Sequence, residues 1–275
     1  MVYTPREYAR LRNTVLTVSL MGWLILLKPA FAPLAYGAAA PRVMSYCAAS
    51  PGALAWSVPG AAATPWLAPL SVAQAQSLLG GWALMLVAMM APLLIQPIYH
   101  VRATSFARRR TRATALFVAG YGAGWMVAGV GLLALELLVS VWDAQSYLPA
   151  ALVGLVALVW QASPAKQRYL NRCHRHRALA AFGAAADRDA LLMGLEHSRW
   201  CIGSCWAAML LPMLLPHGHV VAMMGVSMLM VCERLDPPRT PAWQLRGFGT
   251  AFRYARLRLR GPQPSALPAT LAARV

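Results

Sequence analysis

The chain has 275 residues, 59% of them hydrophobic and 12% charged, with a formal net charge of +17. Soluble domains carry about 25% charge, so this composition excludes an ordinary soluble globular protein. Surplus arginine can signal nucleic acid, but here it lies between long uncharged runs, which is a membrane pattern, and no nucleic-acid partner is expected.

In chain order, Arg6, Arg10 and Arg12 precede an apolar run from Val15 to Leu27, followed by Lys28-Pro29 and the small-residue stretch Ala30 to Ala40. Two readings stand. A basic start, a short apolar run and Ala38-Ala39-Ala40 fit a cleaved signal peptide. The favoured reading is a retained helix from about Val15 to Tyr36, with Lys28 snorkelling outward. The 37–77 segment, rich in Ala, Pro and Ser, contains Cys47 and no catalytic cluster.

A bilayer span needs roughly 20 mostly apolar residues. Leu78–Tyr99, Ala113–Leu135 and Ala144–Ala165 are uncharged, and so is Trp200–Cys232, which is too long for one span. Pro216-His217-Gly218-His219 breaks that run into a helical hairpin whose first arm begins near Leu191. The expectation is an all-α integral membrane bundle of about six transmembrane helices, spans five and six forming the hairpin. Of the 25 Lys and Arg residues, 22 fall before span one, between spans two and three, between four and five, or after six, whereas the opposite loops hold only Arg42. The positive-inside rule then predicts cytoplasmic N and C termini in a bacterial inner membrane, with anionic membrane lipid as a partner of the basic loops. Three regions follow: 1–77, the first helix and an extracytoplasmic loop; 78–240, the membrane core; and 241–275, a basic tail whose Pro-rich 261–275 end is expected to be disordered.

Ionisable and soft side chains inside a bilayer carry a functional hypothesis by default. His197, Cys201, Cys205, Met209 and Met213 are each four apart, so they form a slowly winding ladder on one helix face. Thiol and thioether groups select Cu(I), and Cys with His suits zinc. If the hairpin turns at 216–219, residue 216−k faces residue 219+k. Cys232 then lies opposite Gly203, between Cys201 and Cys205, and Glu233 beside it could orient or balance the site. Cys201 is about 15 Å into its span at 1.5 Å per residue. Met85, Met89 and Met90 add thioethers from span two. The bland alternative is packing: small buried cysteines are often inert and methionines fill cores. Cys173-His174-Arg175-His176 offers three ligands, but the surrounding arginines favour a headgroup-binding loop. His217 and His219 could bind Cu(II) or zinc, or simply sit at an interface. Glu196 and Arg199 could pair with each other. No phosphate loop, dinucleotide glycine fingerprint, Ser-His-Asp pattern or Cys-x-x-Cys is evident, and no enzymatic activity is expected.

Met85–Pro92 (MLVAMMAP), Trp160–Lys166 (WQASPAK) followed by Leu170–His174, and Gly194–Met209 (GLEHSRWCIGSCWAAM) with Cys232-Glu233 downstream resemble the bacterial domain-of-unknown-function 2182 family. These are predicted metal-binding integral membrane proteins, some labelled copper chaperones. The resemblance covers about residues 78–240. It implies metal binding at Cys201, Cys205, Cys173 and Met89-Met90. Many members have cysteine where this chain has Ser204 and Tyr169, which argues against a four-thiolate centre.

The leading expectation is a copper-handling membrane protein. Cu(I), or else zinc, would pass by ligand exchange among Met85, Met89, His197, Cys201, Cys205, Cys232, Met209 and Met213, to or from a donor or acceptor protein. The runner-up is a membrane scaffold or assembly subunit whose cysteines only pack. A third reading, a thiol redox protein, requires a disulfide from Cys232.

Overall fold

The computed structural model describes residues 5–36, 72–140, 147–215 and 218–247, with 249–250, 252–253 and 256 beyond them. Cys47, His217 and the 261–275 tail lie outside the described residues. Within them all regular structure is helical. The helices are α1 (Pro5–Tyr36), α2 (Val72–Met90), α3 (Ile95–Thr104), α4 (Arg110–Ser140), α5 (Leu148–Ala162), α6 (Pro164–Cys173), α7 (Gly183–Met213) and α8 (His219–Leu235).

Prolines set the breaks. Pro92 lacks an N–H, and the chain answers with a 3-10 turn over Ala91–Leu94 that joins α2 to α3. Ser163 precedes Pro164 and is extended, with φ −70 and ψ 144, because the residue before proline is pushed out of the helical region. Its hydroxyl oxygen accepts from Lys166 N at 3.1 Å, capping α6. The apolar run expected to span over 144–165 is therefore bent in the described residues: α5 ends at Ala162, and α6 leaves it at 66°. Pro212 is followed within one residue by the end of α7. Gly218, at φ 79, takes the left-handed conformation that glycine tolerates and starts α8.

Among the described residues, three helical stretches are long and apolar enough to cross a membrane, Pro5–Leu27, Leu78–Thr104 and Ala107–Glu136, or four if the bent α5–α6 pair is one broken span rather than a re-entrant loop. The α8 helix has only 17 residues. The α7 helix carries Asp187, Arg188, Asp189, Glu196 and Arg199 in its first half, which lowers its apolarity. The outer face of the bundle is apolar, with Leu20, Ile25, Val127, Leu138, Leu155 and Leu158 all exposed. The first helix is integral to the bundle: Ser19 Oγ donates to Ala88 O at 2.6 Å.

The tightest helix pair is α4 with α7. A Cβ on Gly120 would come within 3.0 Å of Leu191 O, one on Gly194 within 3.0 Å of Phe117 O, and one on Gly124 within 3.0 Å of Ser198 Oγ. Small residues one turn apart on each helix let the backbones touch, as in membrane helix pairs generally. At the end of this contact Asp187 receives Arg109 at 2.6 Å and Arg112 at 2.7 Å. Gly194→Ala and Gly120→Ala should each destabilise the protein by about 1–3 kcal/mol or more through overpacking against backbone. Gly122→Ala, which points into open space, should be neutral. Thermal unfolding in detergent checks both.

Candidate metal site

The α7 contact with α4 brings Tyr121 to the face that carries Cys201. Tyr121 OH donates to Cys201 Sγ at 3.3 Å, and Arg234 Nη2 of α8 donates to the same sulfur at 3.3 Å. Both cysteines of the pair are buried, Cys201 at 0% exposure and Cys205 at 2%. Cys205 Sγ donates to Cys201 O at 2.9 Å, one helical turn back, and Ser204 Oγ donates to the same carbonyl at 2.7 Å. Cys173, at the end of α6, is buried and lies within electrostatic reach of Arg234 and Cys201. Two helices, α6 and α7, thus bring Cys173, Cys201 and Cys205 near the guanidinium that α8 supplies.

Arg234 is the residue that sequence reasoning missed. The antiparallel rule 216−k against 219+k pairs 201 with 234, and that is the observed contact. Cys232 is two residues earlier, about 200° around the helix, on a different face of α8. It is buried, and its charged neighbours are Glu233 and Asp236. Among the described residues no hydrogen bond joins it to Cys201 or Cys205.

Glu233 does not serve the thiols. Its carboxylate receives Lys166 Nζ at 2.7 and 2.9 Å, both side chains being 3% exposed. Gln161 bridges the pair, donating to Glu233 Oε1 and accepting from Lys166 Nζ. Gln167 clasps the backbone beyond α8, donating to Ala242 O at 2.6 Å and Gln244 O at 3.0 Å, and Asn171 donates to Arg239 O at 2.6 Å. The Gln-x-x-Pro-x-Lys segment is therefore a latch that ties the α5–α6 elbow to α8. It sets where Cys173 and Arg234 stand.

His197, one turn before Cys201, is buried; its ring lies 5.9 Å from that of Tyr121 and 6.1 Å from that of Phe117. Its Nε2 has no hydrogen-bond partner among the described residues. Met85, Met89, Met90, Met209 and Met213 are buried in the same continuous core as Cys201 and Cys205. The Cys-His-x-His segment is split: Cys173 turns inward, whereas His176 stacks on His100 at 4.8 Å. Burial, then the neighbouring His100 and His174, pushes His176 down to about 4; burial, then Arg234 and Arg246, lowers His174. His219 Nδ1 lies 2.7 Å from Pro212 O, satisfied by backbone. Arg199 packs over the Trp200 ring at 5.1 Å and makes no ion pair with Glu196 among the described residues. No group of three or more His, Cys, Asp or Glu side chains converges as a metal cage among the described residues.

A sequence profile of the PpoB2 family, described as copper chaperone, matches residues 79–256. That is more than half of the chain, and the chain belongs to this family. No curated protein and no solved structure matches it.

Two outcomes follow from the latch and the loop. Lys166→Met leaves a buried carboxylate unpaired and should cost about 3–5 kcal/mol, whereas Lys166→Met with Glu233→Leu should recover most of that loss; denaturant unfolding of both variants reads the difference. His176 is depressed from 6.5 to about 4, so the unfolded chain binds its proton more readily. Stability from this group is present above pH 6.5 and is lost as pH falls towards 4. The unfolding midpoint should drop over that window, and the drop should flatten in His176→Gln.

Proposed function

We propose that this member of the copper-chaperone family is a multi-pass membrane protein that accepts and passes on Cu(I), without catalysing a reaction. The single observation that supports this most is the buried Cys201–Cys205 pair, one turn apart, with Arg234 at the sulfur. Cu(I) held by two thiolates carries a net charge of −1. A guanidinium beside it offsets that charge in a low-dielectric interior. Two sulfurs, supplemented by thioethers, suffice for a soft monovalent ion, whereas structural zinc takes four ligands, so zinc is the lesser candidate. Cys173 is the third thiol within this arrangement. His197 precedes the pair, and Met209, Met213, Met85 and Met89 continue the buried core beyond it. Cys232 joins the path only if its side chain swings from its present face. Transfer proceeds by ligand exchange, with a metal-donor or acceptor protein as partner.

In this reading α7 and α8 complete six spans with both termini cytoplasmic. The polar latch at the C-terminal end of α8 is buried, so its charges are paired within the protein rather than facing lipid. The apolar outer face of α1, α4 and α5 supports a bacterial inner-membrane location, and the packing of α1 on Ala88 supports its retention as span one. A scaffold role keeps one observation in its favour: every thiol and thioether named here is buried in the protein.

Metal content distinguishes the two readings. Protein purified in detergent from cells grown with copper and zinc should carry close to one copper per chain. Cys201→Ser with Cys205→Ser should carry none while keeping its unfolding temperature within a few degrees. Metal-free wild-type protein would overturn the copper reading and leave the scaffold.

A further inference from the structure

A pocket of about 320 Å³ opens beside the α6–α7 loop, walled by Arg172, Arg175, Arg177, His176, Glu196 and His197. Its volume is at the lower end of small-molecule sites. Three guanidiniums line it against one lining carboxylate, Glu196, and Asp189 reaches Arg177 at 4.0 Å from outside the lining, so positive charge still exceeds negative and the interior disfavours a bare cation. Arg172 is held along the wall by the Trp200 ring, 4.4 Å away. At the pocket's inner end His197 is only 5% exposed, and its Nε2 has no hydrogen-bond partner among the described residues. The next turn of the same helix is Cys201. Tyr121 bridges the two, with its ring 5.9 Å from His197 and its hydroxyl bonded to Cys201 Sγ. An anion-attracting pocket therefore ends at His197, one helical turn short of the thiol pair that the copper reading uses.

We propose that this pocket receives copper as an anionic complex of Cu(I) with a small carboxylate-bearing thiol, the arginines binding the carrier's negative charge and His197 Nε2 offering the ion its first protein ligand. This rests on the copper reading and names the form in which the cargo arrives. The loop that lines the pocket belongs to the side where the charge bias places the cytoplasm. The transfer is ligand exchange: a bond from Cu(I) to the carrier sulfur breaks as one to Cys201 Sγ forms. The Cys201 proton ends on the released carrier thiolate. Copper remains Cu(I), and no oxidant or reductant is required.

The test compares two copper donors on detergent-purified protein, Cu(I)–glutathione, which is anionic, and tetrakis(acetonitrile)copper(I), which is a cation. Arg175→Gln with Arg177→Gln should slow uptake from Cu(I)–glutathione at least tenfold, leave uptake from the cationic acetonitrile complex as fast as in wild type or faster, and leave the final copper content at the wild-type level. Arg175→Lys with Arg177→Lys, which keeps the charge, should retain wild-type uptake from both. Unaltered uptake from Cu(I)–glutathione in the Gln pair, or equal slowing with both donors, overturns the proposal while the copper reading stands. If the wild-type protein takes copper from neither donor, the copper reading itself fails and this one with it.

Discussion

Backbone contact between α4 and α7 is the constraint on which the rest depends. Lipid offers no hydrophobic drive for helix association, so close packing of small residues supplies it. Gly120 and Gly124 on one helix and Gly194 and Ser198 on the other bring the axes near enough for Tyr121 to reach Cys201 and for Phe117 to pack on His197. A side chain at any of the three glycines would separate those partners by the thickness of a methyl group. The thiol site is thus assembled by what these positions lack.

The second constraint is electrostatic. Lys166 and Glu233 are buried together, and their mutual attraction must offset the cost of leaving water. Gln161 shares both partners, so the network is satisfied as a unit. This leaves Arg234, the next residue and about 100° around the helix, to face sulfur. A carboxylate in its place would add negative charge beside the thiols. A single residue step along α8 therefore separates a structural ion pair from the cation at Cys201.

The wall of arginines outside and the single arginine inside belong to one charge pattern. In the proposed copper path, positive charge at the mouth would disfavour free cations, and positive charge at the sulfur would match a bis-thiolate complex of net charge −1. Selection by such a path acts on the charge of the complex, whereas softness of the ligand acts on the metal. The methionines beyond the thiols share their core, so the soft surface is continuous rather than confined to two atoms.

Much was legible in the residues alone. The apolar runs, the proline breaks and the four-residue spacing of His197, Cys201 and Cys205 are local, and helical periodicity translates them directly into an all-helical chain with a soft face on α7. The hairpin arithmetic even pairs 201 with 234, although the thiol at 232 drew attention away from the arginine two residues on. What sequence spacing could not decide is direction. Depth follows from counting residues, but which side of α8 faces α7 follows from the latch, and the latch needs Gln161, Lys166 and Glu233 to meet across some seventy residues of chain. The 66° elbow at Ser163 likewise turns α6 back so that Cys173 joins the thiols and its neighbouring histidines do not. Composition and periodicity therefore determined the class of protein and the candidate ligands; only tertiary packing, through long-range charge pairing and glycine contact, decided which of those ligands meet.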